Sequence, residues 1–191
     1  MEQAVADGAV KSGNDLRVWM SAQIRSGSLW NDAVFFAQAH HLAAQNASLA
    51  ELTERAIAMT NARQRLDETL NQGASFREAA AHWVPSKPAL PEQTPLPICV
   101  GFVCGIEGID VSQAIAAYVH AFVTNQLQAA IRLSVIGQSG AAEALAALET
   151  VIEETAGRAA LSKLDDLGTC AFLADIAAMQ HETLQPRLFQ S

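Results

Sequence analysis

Apolar residues in this chain recur mostly three and four positions apart, the spacing that lines one face of an α-helix. Within 14–26, Leu16, Trp19, Met20 and Ile24 form such a stripe, closed by Ser26-Gly27-Ser28. Asn31 or Asp32 can cap a following segment that runs to about Gln45. Ser48-Leu-Ala-Glu51 and Ser75-Phe-Arg-Glu78 both read as capping boxes, and Asp110-Val-Ser-Gln113 is a looser version. The stretch 111–136 is apolar almost all round, with Ile115, Val119, Phe122, Val123, Leu127 and Ile131 separated by Tyr118 and small alanines. Such a helix is either central to the fold or covered by a partner. Just before it, Gly101 and Gly105 stand four apart, followed by Gly108, and glycines so spaced let another helix approach closely. Leu145, Leu148 and Ile152 line a helix starting near Ser139-Gly140, with Glu149 and Glu153 turned away. A last helix is predicted from about Thr169 to about Thr183, with Leu173 and Ile176 inward.

Prolines divide this pattern. Five of the six lie between Pro85 and Pro97, so 84–97 reads as an extended connector between two helical halves. No long alternating β-branched run occurs. The expected fold is all-α: one domain over 1–191, a compact bundle of about eight to ten helices.

Composition supports this. The 191 residues include 37 alanines, which lose no side-chain entropy in a helix. Twenty acids against twelve bases give a net charge of −8 with no basic cluster, which argues against a nucleic-acid partner. The 21 residues between Asp110 and Arg132 carry no Asp, Glu, Lys or Arg, but His120, Asn125 and three glutamines make them costly in hydrocarbon. A soluble protein is therefore expected. Three cysteines without a signal peptide fit a reducing cytoplasm.

The search for chemistry is mostly negative. Gly101-x-x-x-Gly105-x-x-Gly108 is neither a phosphate loop nor a dinucleotide fingerprint. His40 and His41 point about 100° apart on a helix and converge poorly on one ion. Cys99 and Cys104 lack zinc-knuckle spacing and read as small buried hydrophobes. Asp165-Asp166 and Glu153-Glu154 read as caps or solvated surface. Neither a cofactor nor a metal site is expected, and the absence of a recognisable active site favours a binding role. The end of the chain stands apart: Pro186 stops the last helix, and Leu188 and Phe189 put apolar surface where a terminus is normally solvated. Either this tail folds onto its own core, or it orders against a partner with Leu188 and Phe189 as anchors and Arg187 as a bidentate donor.

Several stretches together resemble the urease accessory protein UreF family. They are Leu164-Asp-Asp-Leu-Gly168, Asp175-Ile-Ala-Ala-Met179-Gln-His181-Glu182-Thr183 and Arg187-Leu-Phe189-Gln-Ser191. Ala117-Tyr118, Phe122, Asn125, Ala129-Ala130, Arg132 and Gly137-Gln138 add to the likeness. The resemblance implies an all-α, dimerising cytoplasmic protein that is not an enzyme. It also implies binding to UreD (UreH in some organisms) and recruitment of the GTPase UreG for nickel insertion into apo-urease, with some control over hydrolysis. By the same resemblance Arg187, Leu188, Phe189 and Ser191, with His181 and Glu182 before them, are partner-binding, and Gln190 replaces a frequent arginine. The family carries a further N-terminal segment with a Leu-Pro-Val-Gly motif, and by that comparison this chain starts near its end. Two other classes stay open: a small all-α enzyme using His181, Glu182 and Asp175, and a plain homodimer whose sister chain covers the tail.

Overall fold

Residues 1–60, 62–84, 90–171 and 176 are described by the computed structural model. Among them are eight α-helices and no strand: α1 (Glu2–Ala6), α2 (Gly13–Ser26), α3 (Ser28–Ala44), α4 (Ala50–Ala58), α5 (Arg63–Ala80), α6 (Leu96–Ile106), α7 (Val111–Arg132) and α8 (Gln138–Ala160). A 3-10 turn, Leu164–Asp166, follows.

Side-chain caps begin two helices, the second of them as the sequence suggests. The Ser12 hydroxyl accepts from the Asp15 N–H at the start of α2, and the Asp110 carboxylate accepts from the Gln113 N–H at the start of α7. Two predicted starts are wrong. Ser75-Phe-Arg-Glu78 lies inside α5, and α3 begins at Ser28 with Gly27 as its cap. Asn31 and Asp32 are freed for tertiary contacts, because the chain has already turned at Gly27. There an added Cβ would press on the backbone of Gln23. At α4 the Ser48 hydroxyl accepts from the Ala50 N–H, so the turn is capped one residue earlier than a capping box requires.

The core is organised around α3 rather than α7. Leu29, Trp30, Ala33, Val34, Phe35, Phe36, Ala37 and Ala39 of α3 are all buried, and this helix meets α2, α4, α6, α7 and α8. Each large side chain buried this way contributes roughly 1.5–3 kcal/mol. In contrast α7 buries one stripe (Ala114, Ile115, Val119, Val123, Leu127 and Ala130) and leaves Ala117, Ala121 and Asn125 exposed. Leu148 and Ile152 of α8 are buried while Glu149 and Glu153 are exposed, as expected.

The glycine pair of α6 explains the closest helix packing. A Cβ on Gly101 would collide with the Phe36 carbonyl, and one on Gly105 would stand 2.5 Å from the His40 carbonyl, so α6 lies backbone to backbone on α3. Gly108 has a different job from the packing role expected of it. Nothing crowds it, and its φ of +67° turns the chain out of α6.

Helix α6 starts at Leu96, within the predicted connector, and Pro97 sits in its first turn where a missing N–H costs nothing. Residues 90–95 are held to α5, since Arg77 donates to the carbonyls of Pro91 (3.0 Å) and Glu92 (3.2 Å). The hydrophobic core runs across both sides of the connector, joining α2 and α3 to α7 and α8. No helix among the described residues is long and apolar enough to cross a membrane.

Candidate binding surface

On α5, Arg65, Glu68, Thr69, Gln72 and Phe76 recur at helical spacing and share a face. That face is held over the body by a second close approach: a Cβ on buried Gly73 would collide with the Thr94 carbonyl. The Thr69 hydroxyl accepts from the Leu96 N–H at 3.2 Å beside it. Between this face and the alanine-lined side of α7 runs a groove of about 740 Å³. A smaller space of about 200 Å³ lies beyond it, toward Trp19, Phe35 and Met59. Asp32, Arg65, Glu68, Thr69, Phe122 and Gln126 line both.

Where the two spaces meet, Arg65 of α5 donates to Asp32 of α3 at 2.6 Å, with 29% and 19% of the side chains exposed. Burial opposes the charge on Arg65, but Asp32, then Tyr118 and Glu68, outweigh it and hold its pKa above the ordinary value. Tyr118 packs on Phe36, ring centroids 5.6 Å apart. Burial pushes its phenol well above the usual range, Asp32 adding to the effect and Arg65 opposing it. The phenol therefore stays protonated at neutral pH. Cys99 and Cys104 are no readier to react. Burial raises Cys99 to about 11 and raises Cys104, the reverse of what a catalytic thiolate needs.

Among the described residues the histidines do not converge on an ion. His40 bonds through Nε2 to the Ile109 carbonyl at 2.7 Å, and its ring meets that of His41 edge-on at 5.9 Å. Among the described residues no group of three or more His, Cys, Asp or Glu is placed to hold a metal. Glu154 pairs with Arg25 at 3.0 Å, and Asp166 accepts from the Lys163 N–H at 2.7 Å, so these acids are surface and cap residues.

The chain leaves α8 along α3. Gln38 donates to the Ser162 carbonyl (2.7 Å), the Trp30 indole N–H donates to the Asp166 carbonyl (2.9 Å), and Asn31 accepts from the Gly168 N–H (2.9 Å). Cys170 N–H then bonds to the Ser26 carbonyl at 2.9 Å. Residues 169–171 are non-helical, their direction fixed by α3 and the end of α2, and Ile176 is helical; the rest of the helix predicted from about Thr169 lies outside the described residues. Ile176, expected to face inward, is 44% exposed. The expected partner-binding residues His181, Glu182, Arg187, Leu188, Phe189 and Ser191, like Asp175 of the enzyme alternative and Leu173, lie outside the described residues.

Sequence reading missed the groove and its ion pair. The signal available was the shared face of Arg65, Thr69, Gln72 and Phe76 beside a glycine, a helical spacing that runs through the helix start expected at Ser75.

The described residues define an all-helical protein with a groove between α5 and α7. A family model described as UreF matches residues 10–149. The urease accessory protein UreF of Brucella ovis is 47% identical over 193 residues, covering all of this chain and 84% of that protein. Those of Rhizobium leguminosarum bv. viciae and Mesorhizobium japonicum are 44% and 43% identical over 192 residues, covering all of this chain and 86% of each. The chain belongs to the UreF family of urease accessory proteins.

Proposed function

We propose that the chain acts as one folded unit over 1–191, a non-catalytic scaffold in urease maturation. In this reading it binds UreD, recruits the GTPase UreG to apo-urease in the cytoplasm, and modulates hydrolysis so that nickel insertion follows correct assembly. It works as a homodimer and holds no cofactor of its own. The observation that carries the reading is family membership along the whole chain, with identities of 43–47% to urease accessory proteins. Burial keeps Cys99 and Tyr118 protonated, which supports a role without covalent chemistry at those two groups.

Arg187, Leu188, Phe189 and Ser191, with His181 and Glu182 before them, are the proposed partner contacts. Arginine suits this task because its planar fork binds carboxylate or carbonyl pairs. The test is Arg187→Ala, scored by recovery of UreG with the UreD-bound chain and by urease activation. Loss of UreG with an unchanged thermal transition supports the reading. Wild-type recovery and activation would remove Arg187 from it.

A further inference from the structure

Helix α5 is fastened to the body differently from the other long helices. Of its 18 residues Gly73 is the one that is buried, whereas α3 buries eight of 17 and α8 eight of 23. Ala62 at its start offers no side-chain cap. The helix packs on α6, and on its other side the groove separates it from α7. Little apolar burial therefore opposes its release.

The fastenings differ between its two halves. From Gly73 onward they involve the backbone of 91–94: a Cβ on Gly73 would collide with the Thr94 carbonyl, and Arg77 donates to the carbonyls of Pro91 and Glu92. Before Gly73 they include two side-chain contacts. The Thr69 hydroxyl accepts from the Leu96 N–H at 3.2 Å, and one turn earlier Arg65 donates to Asp32 at 2.6 Å. Asp32 stands on α3, the most buried helix, and so serves as a fixed post. The pair also lies where the groove meets the smaller space, since both residues line both.

We propose that residues 63–72 form a hinged strap that releases from the body about Gly73, with the Arg65–Asp32 pair as its latch. Release joins the groove and the smaller space into one cleft, so the latch sets how deep that cleft reaches. Once free, the segment is shorter than the roughly 12–15 residues an isolated helix needs in water, so its amides exchange whenever it opens. The device is independent of the proposed contacts with UreD and UreG.

The test is native-state hydrogen exchange on the full chain, read amide by amide by NMR. Amides of 67–72 are expected to exchange through an opening that responds weakly to urea, while those of 119–127 in α7 follow the urea slope of global unfolding. Leu148→Ala in α8 lowers global stability and should speed exchange at 119–127 by about thirtyfold or more, leaving 67–72 unchanged. Asp32→Asn should speed 67–72 by about tenfold, between what exposed and fully buried ion pairs are worth, and Arg65→Met reads the same latch from α5. If 67–72 share the urea slope of 119–127, or Leu148→Ala accelerates both alike, α5 opens only with the whole fold and the strap is overturned. The wild-type slopes decide this even where a variant fails to fold. If 67–72 open independently but neither latch variant changes their rate, the role of Arg65 and Asp32 is overturned.

Discussion

Gly101→Ala places one methyl group between two helix backbones. In an ordinary helix interior the change favours folding by about 1 kcal/mol, because glycine loses more backbone entropy than alanine. Here the new Cβ meets the Phe36 carbonyl, with the Cα and carbonyl carbon of Phe36 each at 3.0 Å. That obstacle is backbone of the most buried helix and has no rotamer by which to yield, so α6 must move off α3. Overpacking of this kind costs about 1–3 kcal/mol, and more where nothing can shift. Net destabilisation of about 2 kcal/mol is expected, a fall in Tm of about 4–8 °C for a chain of this size. Gly157→Ala is the internal control. Gly157 is exposed on α8 with no heavy atom within 4 Å of an added Cβ, so the same substitution should stabilise by about 0.5–1 kcal/mol. Urea unfolding followed by far-UV circular dichroism measures both, with the slope checking that the unfolded state is unchanged. Equal midpoints for Gly101→Ala and Gly157→Ala at equal slope would refute the close α3–α6 contact.

Three further outcomes are expected. In a double-mutant cycle, Asp32→Asn and Arg65→Met should each cost about 1–2 kcal/mol, and the pair less than their sum by about 1 kcal/mol, since each single change strands a partly buried partner. Strict additivity in urea unfolding would show that the two groups do not interact. Cys99, raised by burial from 9.0 to about 11, gives stability fully present below pH 9.0 and lost as pH climbs through about 11. Cys99→Ala should therefore flatten the alkaline fall in Tm between those values, and an unchanged slope would place the loss elsewhere. The carboxylates of Asp15 and Asp110 are held below 3.8, by the hydroxyls of Ser12 and Ser112 first and backbone N–H groups next. Their stability is present above that pH and lost as pH falls through the lower folded values. The Asp15→Asn, Asp110→Asn double variant should show a shallower acid transition than wild type, measured by circular dichroism against pH.

Much of the fold could be read locally. Leu16, Met20 and Ile24, or Leu148 and Ile152, announce their helices because each stripe faces one core, and Gly101 and Gly105 announce a close approach without naming the helix. The misreadings have tertiary causes. Ser75-Phe-Arg-Glu78 has the residue types of a helix start, but α5 runs through it, held by Gly73 against the Thr94 carbonyl and Arg77 on Pro91 and Glu92. Asn31 and Asp32 look like caps, yet their partners are Gly168 and Arg65, distant in sequence. The groove was illegible for the same reason. Its walls belong to α5 and α7, and only folding sets Arg65 beside Asp32 and Tyr118.

Co-purification of the full chain with UreD and UreG, read by size-exclusion chromatography with light scattering, tests the scaffold account most directly. The account predicts a stable species holding all three proteins, with two copies of this chain, that loses UreG when Arg187 becomes alanine. Separate elution of the three proteins at micromolar concentration, with the chain folded by circular dichroism, would contradict it.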